Sequence, residues 1–162
     1  MNNLKIRVGF GYDVHPFVAN HKFWLGGIPI PYKNGLKGHS DADALIHAIC
    51  DALLGAANMG NIGTNFPDTD EQFKDIDSKI LLKKTMNLIY SKNYELNNAD
   101  ITICAEQPKL NLFIPQMKIC LAEIMQTDKE NISIKATTSE KMGFIGRKEG
   151  IAVFATVLIT QQ

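Results

Sequence analysis

The sequence has few cysteines and no excess of either charge, and both features exclude classes of protein. Cys50, Cys104 and Cys120 are odd in number and widely spaced, which argues against a disulfide framework or a cysteine-based zinc site. Lysine plus arginine and aspartate plus glutamate number 17 each, so nothing points to a nucleic-acid backbone or an anionic membrane as partner. Any anionic ligand would have to be bound by a local group of residues.

Long apolar segments are also missing. The N-terminus leads directly into a strand-like pattern without the features of a signal peptide, and no later run is long enough to span a bilayer. Together with reduced thiols, this predicts a cytoplasmic protein. The chain has 162 residues, 45% of them apolar, and we find neither a linker nor a repeat, so residues 1–162 are expected to form one domain.

Hydrophobic periodicity predicts strands alternating with helices. Apolar residues at every second position from Ile6 to Val14 are typical of a strand, which would place Asp13 and His15 on one face. Gly26-Gly27 predicts the turn of a hairpin, because glycine adopts positive φ at little cost. The predicted helices begin near Ser40, after Ser78 and at Pro115, and the remaining predicted sheet strands span 100–105, 132–134 and 150–160.

Local signals refine three of these segments. Ser40 and Asp43 resemble a capping box that opens the first helix, which should end near Gly60. A short helical turn is expected between Thr137 and Phe144. The second helix should direct four apolar residues inward, namely Ile80, Leu81, Leu88 and Ile89.

These elements predict an α/β (α+β) fold with a mixed sheet of about four strands and helices on one face. The opposite face of such a sheet must be buried in some other way. A symmetric oligomer is the simplest cover for it.

Polar residues recur at steps of four around the first predicted helix. They are His39, Asp43, His47 and Asp51. A solvent-exposed helix face would explain this stripe, and a lone histidine is more often structural than a ligand. Asp13, His15 and His47, however, supply two imidazoles and a carboxylate, which is the ligand set of a catalytic zinc ion with an open position. Spacing alone does not bring His47 to the strand.

Two further segments carry groups suited to phosphate. The run from Lys135 to Lys141 combines three hydroxyls with backbone amides that could bind an anion, and Glu140 could bind a hard cation such as Mg²⁺. A helix cap in which Glu140 faces the helix dipole explains the same run equally well. The segment from Phe66 to Asp70 is a carboxylate-rich turn, which by itself indicates only a loop.

Ten short segments carry a resemblance through their order and spacing along the chain. They are Asp13-Val14-His15, Gly38-His39-Ser40-Asp41, Asp43 with His47, Asp51 to Ala56, Phe66 to Asp70, Pro108-Lys109, Ile114 to Met117, Lys135 to Lys141, Gly143-Phe144 and Gly146-Arg147. In order and spacing they resemble the 2-C-methyl-D-erythritol 2,4-cyclodiphosphate synthase family over essentially the whole chain. So many segments at family spacing are far more specific than any one pattern.

The resemblance implies a lyase of the non-mevalonate (MEP) isoprenoid pathway. Such enzymes convert 4-diphosphocytidyl-2-C-methyl-D-erythritol 2-phosphate to 2-C-methyl-D-erythritol 2,4-cyclodiphosphate and CMP. The nucleophile is a phosphate of the substrate itself, so the protein orients two anions and neutralises charge. The resemblance also implies a homotrimer with active sites between subunits.

The resemblance assigns roles to individual residues. Zinc is bound by Asp13, His15 and His47, Mg²⁺ (or Mn²⁺) is bound by Glu140, and His39 and Thr138 are catalytic. Zinc follows from ligand type, so another divalent transition metal could replace it. The residues implied in substrate binding are Ser40, Asn61, Ile62, Gly63, Phe66, Pro67, Asp68, Thr69, Asp70, Ala105, Pro108, Lys109, Leu110, Asn111, Thr137, Ser139, Phe144 and Arg147.

Some positions carry further implications or depart from the family. Phe144, Arg147 and Glu149 match residues that line a central trimer cavity, where the family can hold an isoprenoid diphosphate. Many relatives have Asp at the position of Asn61 and Gly at that of Ala42. Two other functions fit the same groups: a metal-dependent phosphohydrolase, and a non-catalytic trimeric protein that binds an isoprenoid diphosphate.

Overall fold

The computed structural model describes residues 5–161. Residues 1–4, part of the segment in which no signal peptide is predicted, and Gln162 lie outside the described range. The strands are β1 (Lys5–Ala19), β2 (Trp24–Leu25), β3 (Ile28–Pro29), β4 (Asn34–Leu36), β5 (Tyr94–Cys104), β6 (Ile132–Thr137) and β7 (Gly150–Gln161). The α-helices are α1 (Ala44–Ala56), α2 (Ile62–Asn65), α3 (Ser78–Ser91), α4 (Ile114–Met125) and α5 (Gly143–Gly146).

The main sheet has five strands in the order β4-β1-β7-β5-β6. The pair β5–β6 is parallel and the other pairs are antiparallel, which confirms the predicted mixed sheet. The sequence missed β4, which pairs Leu36 with Phe17 and has only three residues, too few for a period to be visible. The predicted hairpin is confirmed as β2–β3, and Gly26 and Gly27 adopt φ values of 62° and 77°.

Helix α1 lies in backbone contact with strand β1. A Cβ atom added to Gly9 would stand 1.8 Å from Ala52 O, and one added to Gly11 would stand 1.9 Å from Ala48 O. Only glycine on the strand, facing alanine on the helix, permits this approach. The next two odd-numbered residues of β1 therefore reach the beginning of α1.

The beginning of α1 is fixed by Asp43, which is its N-cap in place of the predicted Ser40. Asp43 Oδ1 accepts hydrogen bonds from Ile46 N at 3.0 Å and from Gly26 N at 2.9 Å, and Oδ2 accepts one from Gly27 N at 2.7 Å. Burial raises the pKa of Asp43, and these N–H donors oppose that effect. The side chain is fully buried, so the predicted stripe is not a solvent-exposed face.

Helix α3 differs from prediction in the face that it buries. Leu81 and Ile89 point inward as expected, and Leu88 is half-buried. Ile80 is 47% exposed, so its predicted burial is wrong. Leu82 is buried instead, because the inward positions follow steps of three and four from the first residue of α3, and Ile80 falls between them.

The face of the main sheet opposite the helices is uncovered in the single chain. Helices α1, α3 and α4 pack on the other face, against β1, β7, β5 and β6. On the uncovered face, Val8 and Phe10 are 65% and 64% exposed, and the ring of Phe154 lies 6.3 Å from Phe10 and 5.1 Å from Tyr12 between centroids. An apolar patch of this kind marks an interaction surface. No helix within residues 5–161 is both long and apolar enough to cross a membrane.

The contact between α1 and β1 can be tested with two glycine substitutions. Gly11→Ala should lower the free energy of unfolding by about 2–4 kcal/mol, because the new methyl group overlaps the helix backbone. Gly55→Ala is the matched control, since its Cβ would meet nothing within 4 Å and alanine favours a helix by about 1 kcal/mol. Urea unfolding of both variants measures the difference, and equal effects would contradict the close approach.

Candidate active site

Three side chains converge where the end of β1 meets the beginning of α1. His15 Nε2 lies 3.0 Å from Asp13 Oδ2, His47 Nδ1 lies 3.1 Å from the same oxygen, and the two nitrogens are 3.4 Å apart. Asp13, His15 and His47 therefore form a candidate divalent-metal site, as the sequence predicted. Sequence spacing could not predict that His47 lies next to the strand, and in the structure the α1–β1 contact brings it there.

The geometry of this trio fits a tetrahedral ion. Ligand atoms placed about 2.0–2.1 Å from a tetrahedral Zn²⁺ lie about 3.3–3.4 Å from each other. The three observed separations are close to that value. His15 Nδ1 is 2.8 Å from Lys37 O, and a carbonyl only accepts, so the proton of His15 lies there and Nε2 is free to bind a metal.

The electrostatics of the trio favour a cation. Burial raises the pKa of Asp13, but hydrogen bonds and charges from His15 and His47 outweigh it and lower the pKa to about 2. Burial lowers the pKa of His15, but the hydrogen bond and charge of Asp13 outweigh it, so that pKa is raised. An ionised carboxylate beside two imidazole nitrogens is a ligand set that a divalent metal ion satisfies.

The trio opens into a cleft of about 310 Å³. Six of the predicted catalytic and substrate-binding residues line it: His39, Ser40, Ile62, Gly63, Phe66 and Asp68. The same walls contain three apolar residues that sequence reasoning missed, Phe73, Ile76 and Leu81. They carry no polar motif that could have signalled a role. The cleft therefore combines one polar end with an apolar wall.

The remaining predicted residues of this region support the loop that borders the cleft. Asp51 Oδ1 accepts a hydrogen bond from Ile62 N at 2.7 Å and thus holds α2 against α1. Asn61 is the N-cap of α2, and its Oδ1 accepts from Thr64 N and Thr64 Oγ1, both at 2.8 Å. Its amide nitrogen is left for a ligand. Pro67, Thr69 and Asp70 follow on the same loop outside the lining, and Asp70 accepts from Gln72 N.

Ala42, at the base of the cleft loop, adopts a positive φ of 57° although it is not glycine. Its methyl group is fully buried and does not line the cleft. A non-glycine residue in this conformation costs about 1–2 kcal/mol.

A second, smaller cavity of about 100 Å³ lies at the ends of β5 and β6. Its lining contains seven of the predicted catalytic and substrate-binding residues, Ala105, Pro108, Lys109, Leu110, Asn111, Thr137 and Thr138, and it adds Ala136. It shares no residue with the first cleft. Within one chain the predicted site residues therefore form two separate groups.

The turn after β6 is held by a carboxylate that sequence reasoning missed. Glu106 Oε1 accepts from Lys141 N at 3.0 Å, from Ser139 N at 3.2 Å and from Ser139 Oγ at 3.4 Å. Hydrogen bonding from the Lys141 and Ser139 amides lowers the pKa of Glu106. The amides predicted to bind an anion are thus already occupied by an internal carboxylate. Positive φ values at Glu140 and Lys141, 52° and 64°, make this arrangement possible.

Glu140 is not a helix cap, so the structure contradicts that alternative. Helix α5 begins at Gly143, later than predicted, and its N-cap is Met142. Glu140 is exposed, and its Oε1 accepts from Thr138 Oγ1 at 2.9 Å. Its second oxygen remains for a cation of the Mg²⁺ type, which commonly takes one carboxylate, substrate phosphates and water.

Phe144 and Arg147 lie in neither cavity. Arg147 donates two hydrogen bonds to Glu149, from Nε at 2.9 Å and from the terminal nitrogen Nη2 at 3.0 Å. This pairing lowers the pKa of Glu149 and raises that of Arg147. Phe144 is 37% exposed at the start of α5.

Comparison with known proteins gives one consistent result. The model of the YgbB family matches residues 6–160. The chain is 81% identical over 157 residues to the 2-C-methyl-D-erythritol 2,4-cyclodiphosphate synthase of Azobacteroides pseudotrichonymphae, covering 97% of this chain and 94% of that protein.

Solved structures agree with this match. The bifunctional IspDF from Campylobacter jejuni superposes with a TM-score of 0.95 at 44% identity; the alignment covers 99% of this chain and 43% of that longer one. A Plasmodium falciparum IspF in a CDP complex superposes with a TM-score of 0.86 at 35% identity, covering 97% of each chain. The chain thus spans less than half of the bifunctional protein, but it spans nearly all of the Azobacteroides synthase and of the Plasmodium falciparum IspF.

Removing one imidazole tests the metal site. His47→Ala should weaken divalent-metal binding by at least about 100-fold while the chain stays folded, because two remaining ligands hold an ion poorly. Elemental analysis after gel filtration measures the bound metal. His21→Ala is the matched control, since His21 is exposed and its ring contacts Ala19 O. Stoichiometric metal in folded His47→Ala would reject the site.

Proposed function

The chain belongs to the YgbB family, and we propose that it catalyses the reaction for which its relatives are named. That reaction closes 4-diphosphocytidyl-2-C-methyl-D-erythritol 2-phosphate to 2-C-methyl-D-erythritol 2,4-cyclodiphosphate and releases CMP, in the non-mevalonate isoprenoid pathway. The observation that supports it most is the convergence of Asp13, His15 and His47 at the polar end of the cleft. With three free thiols in the chain, we place the protein in the cytoplasm.

We assign Zn²⁺ to the trio and Mg²⁺ (or Mn²⁺) to Glu140. When bound, these cations supply positive charge at phosphate oxygens and reduce the repulsion between the reacting anions. Two imidazoles and one carboxylate leave a position open for a phosphate oxygen, as in catalytic zinc sites. Glu140 needs the substrate and water to complete its coordination, which suits a metal that arrives with a diphosphate.

The protein's own residues orient the reactants. The bond that forms joins an oxygen of the 2-phosphate to the β-phosphorus, and the bond that breaks joins the β-phosphorus to the oxygen bridging to the α-phosphate, whose electron pair leaves with CMP. His39 and Ser40 line the cleft beside the trio, where they can donate to phosphate oxygens. Thr138 lines the second cavity and donates a hydrogen bond to Glu140, and we assign the cytidine end of the substrate, and with it the leaving group, to that cavity. The protein supplies no nucleophile.

The two groups of site residues are separated within one chain. His15 pairs with Ile151, Ala152 pairs with Cys104, and Cys104 pairs with Thr137, so three strand spacings, roughly 14 Å, separate His15 from Thr137. In addition, His15 faces the helices whereas Thr137 faces the uncovered side of the sheet. A ligand contacting both groups would therefore bridge two chains.

We propose that the chain forms a homotrimer with active sites between subunits. The uncovered face exposes apolar residues of β1 together with Phe154, and contact with further copies of the chain would remove this apolar surface from water. Phe144, Arg147 and Glu149 would line the central cavity, where an isoprenoid diphosphate could bind. The aromatic cluster on the uncovered face fits an isoprenoid tail, and Arg147 would have to exchange Glu149 for the diphosphate.

A single incubation tests the reaction. With the cytidylated substrate and both metals, we expect phosphorus NMR to show a cyclic diphosphate and CMP, and we expect turnover to stop after chelation. Open-chain phosphate monoesters would indicate a phosphohydrolase instead. Absence of turnover in the metal-loaded trimer would favour a binding protein.

The shared site can be tested by complementation between two inactive variants. His47→Ala damages the metal group, and Thr138→Ala damages the turn beside the nucleotide. If each site combines groups from neighbouring chains, trimers coexpressed at equal amounts should regain about a quarter of the sites, by random pairing. Separately purified variants mixed without subunit exchange are the control. Mixed trimers with no activity would show that each site lies within one chain.

A further inference from the structure

The outer nitrogen of the His47 ring contacts two hydroxyl groups. Ser78 Oγ lies 2.9 Å from His47 Nε2, and Ser40 Oγ lies 3.1 Å from it. Ser78 is the first residue of α3 and is fully buried. The third helix therefore begins directly behind the candidate metal centre. The sequence marked Ser78 only as the start of a predicted helix and gave it no role in the site.

Asp41 holds Ser78 through both of its carboxylate oxygens. Asp41 Oδ2 accepts from Ser78 N at 3.0 Å, and Ser78 Oγ donates to Oδ1. Asp41 Oδ1 also accepts from Asp43 N at 3.3 Å. Because backbone N–H groups only donate, Asp41 acts as an acceptor, and the single hydroxyl proton of Ser78 is directed at it.

The direction of that proton decides the tautomer of His47. With its own proton on the bond to Asp41, Ser78 Oγ can only accept from His47. His47 Nε2 then carries the ring proton, and the lone pair of Nδ1 points to the candidate metal centre, 3.1 Å from Asp13 Oδ2. His15 reaches the equivalent state by a different route, through a backbone carbonyl.

We propose that Ser78 and Asp41 are positioning residues that fix the tautomer and ring orientation of His47 and thereby set the affinity of the site for its divalent metal ion. The proposal rests on the proposed function in one respect, that Asp13, His15 and His47 bind a metal. Partners in this outer position commonly change metal affinity by about 10- to 100-fold when they are removed.

The same arrangement affects Ser40, which lines the cleft. Ser40 Oγ accepts from Ala42 N at 3.2 Å and can also accept from His47 Nε2. Its own proton is then left for a ligand in the cleft. The other tautomer of His47 would instead accept that proton, so Ser78 and Asp41 also keep Ser40 in its donor role.

Zinc affinity of metal-stripped protein, measured by competition with a chelating dye, tests the proposal. Ser78→Ala should raise the Kd for Zn²⁺ by about 10- to 100-fold. Asp41→Asn is more informative, because its amide can donate to Ser78 Oγ, which then donates to His47 Nε2 and moves the ring proton to Nδ1. We expect Asp41→Asn to weaken zinc binding to a similar degree although the Ser78 hydroxyl is intact.

The double variant and a control separate positioning from general damage. Because both residues act through one chain of bonds, Asp41→Asn with Ser78→Ala should lose little more affinity than Ser78→Ala alone. Ser91→Ala is the matched control at the other end of α3, where the exposed hydroxyl donates to Leu88 O, and it should bind zinc like the unmodified protein. Melting temperatures of the metal-stripped proteins report folding.

Four outcomes would each count against one of the two claims. A zinc Kd for Ser78→Ala within about threefold of the unmodified protein, or effects that add in the double variant, would overturn the positioning role. If Ser78→Ala does not fold, Asp41→Asn decides, and unchanged affinity there overturns it as well. An unmodified protein that binds no zinc would instead reject the metal assignment under the proposed function.

Discussion

The backbone contact between α1 and β1 is the constraint on which the site depends. Gly9 and Gly11 let the helix approach until a side chain of a single carbon would overlap it. At that distance His47 reaches the two ligands on the strand, with nitrogen-to-oxygen and nitrogen-to-nitrogen separations of 3.0 to 3.4 Å. A shift of the helix by one methyl radius would open the trio, because metal sites tolerate little change in ligand distance.

A buried carboxylate, that of Asp43, fixes the position of α1 along its own axis. Asp43 accepts one hydrogen bond from an N–H group of α1 and two from N–H groups of the β2–β3 turn. Because Asp43 is fully buried, water could not replace these hydrogen bonds if the start of the helix moved, and the movement would therefore be costly. Asp41 performs the corresponding role for α3 by binding Ser78. The loop between His39 and Asp43 thus joins two helix starts and one hairpin around the metal centre.

The sequence predicted what depends on local pattern and missed what depends on distant packing. Alternation along β1 correctly placed Asp13 and His15 on one face, and chemical type correctly suggested His47 as their partner. The approach of His47 could not be deduced, since it depends on glycines four and six residues before His15. Glu106 was missed because the turn that brings the Ser139 and Lys141 amides to it requires positive φ at Glu140 and Lys141, which composition does not reveal. Ile80 was misplaced because α3 offers two apolar stripes and only tertiary packing selects one.

The carboxylate of Glu106 on the turn after β6 has a consequence for inhibitor chemistry. A compound designed to place a phosphate mimic on the amides of Ser139 and Lys141 would have to displace an acid that is tethered beside them. A tethered group competes at an effective concentration in the millimolar range or above, so the mimic would gain little from those amides. A neutral heterocycle sized for the adjacent cavity of about 100 Å³ meets no such competitor.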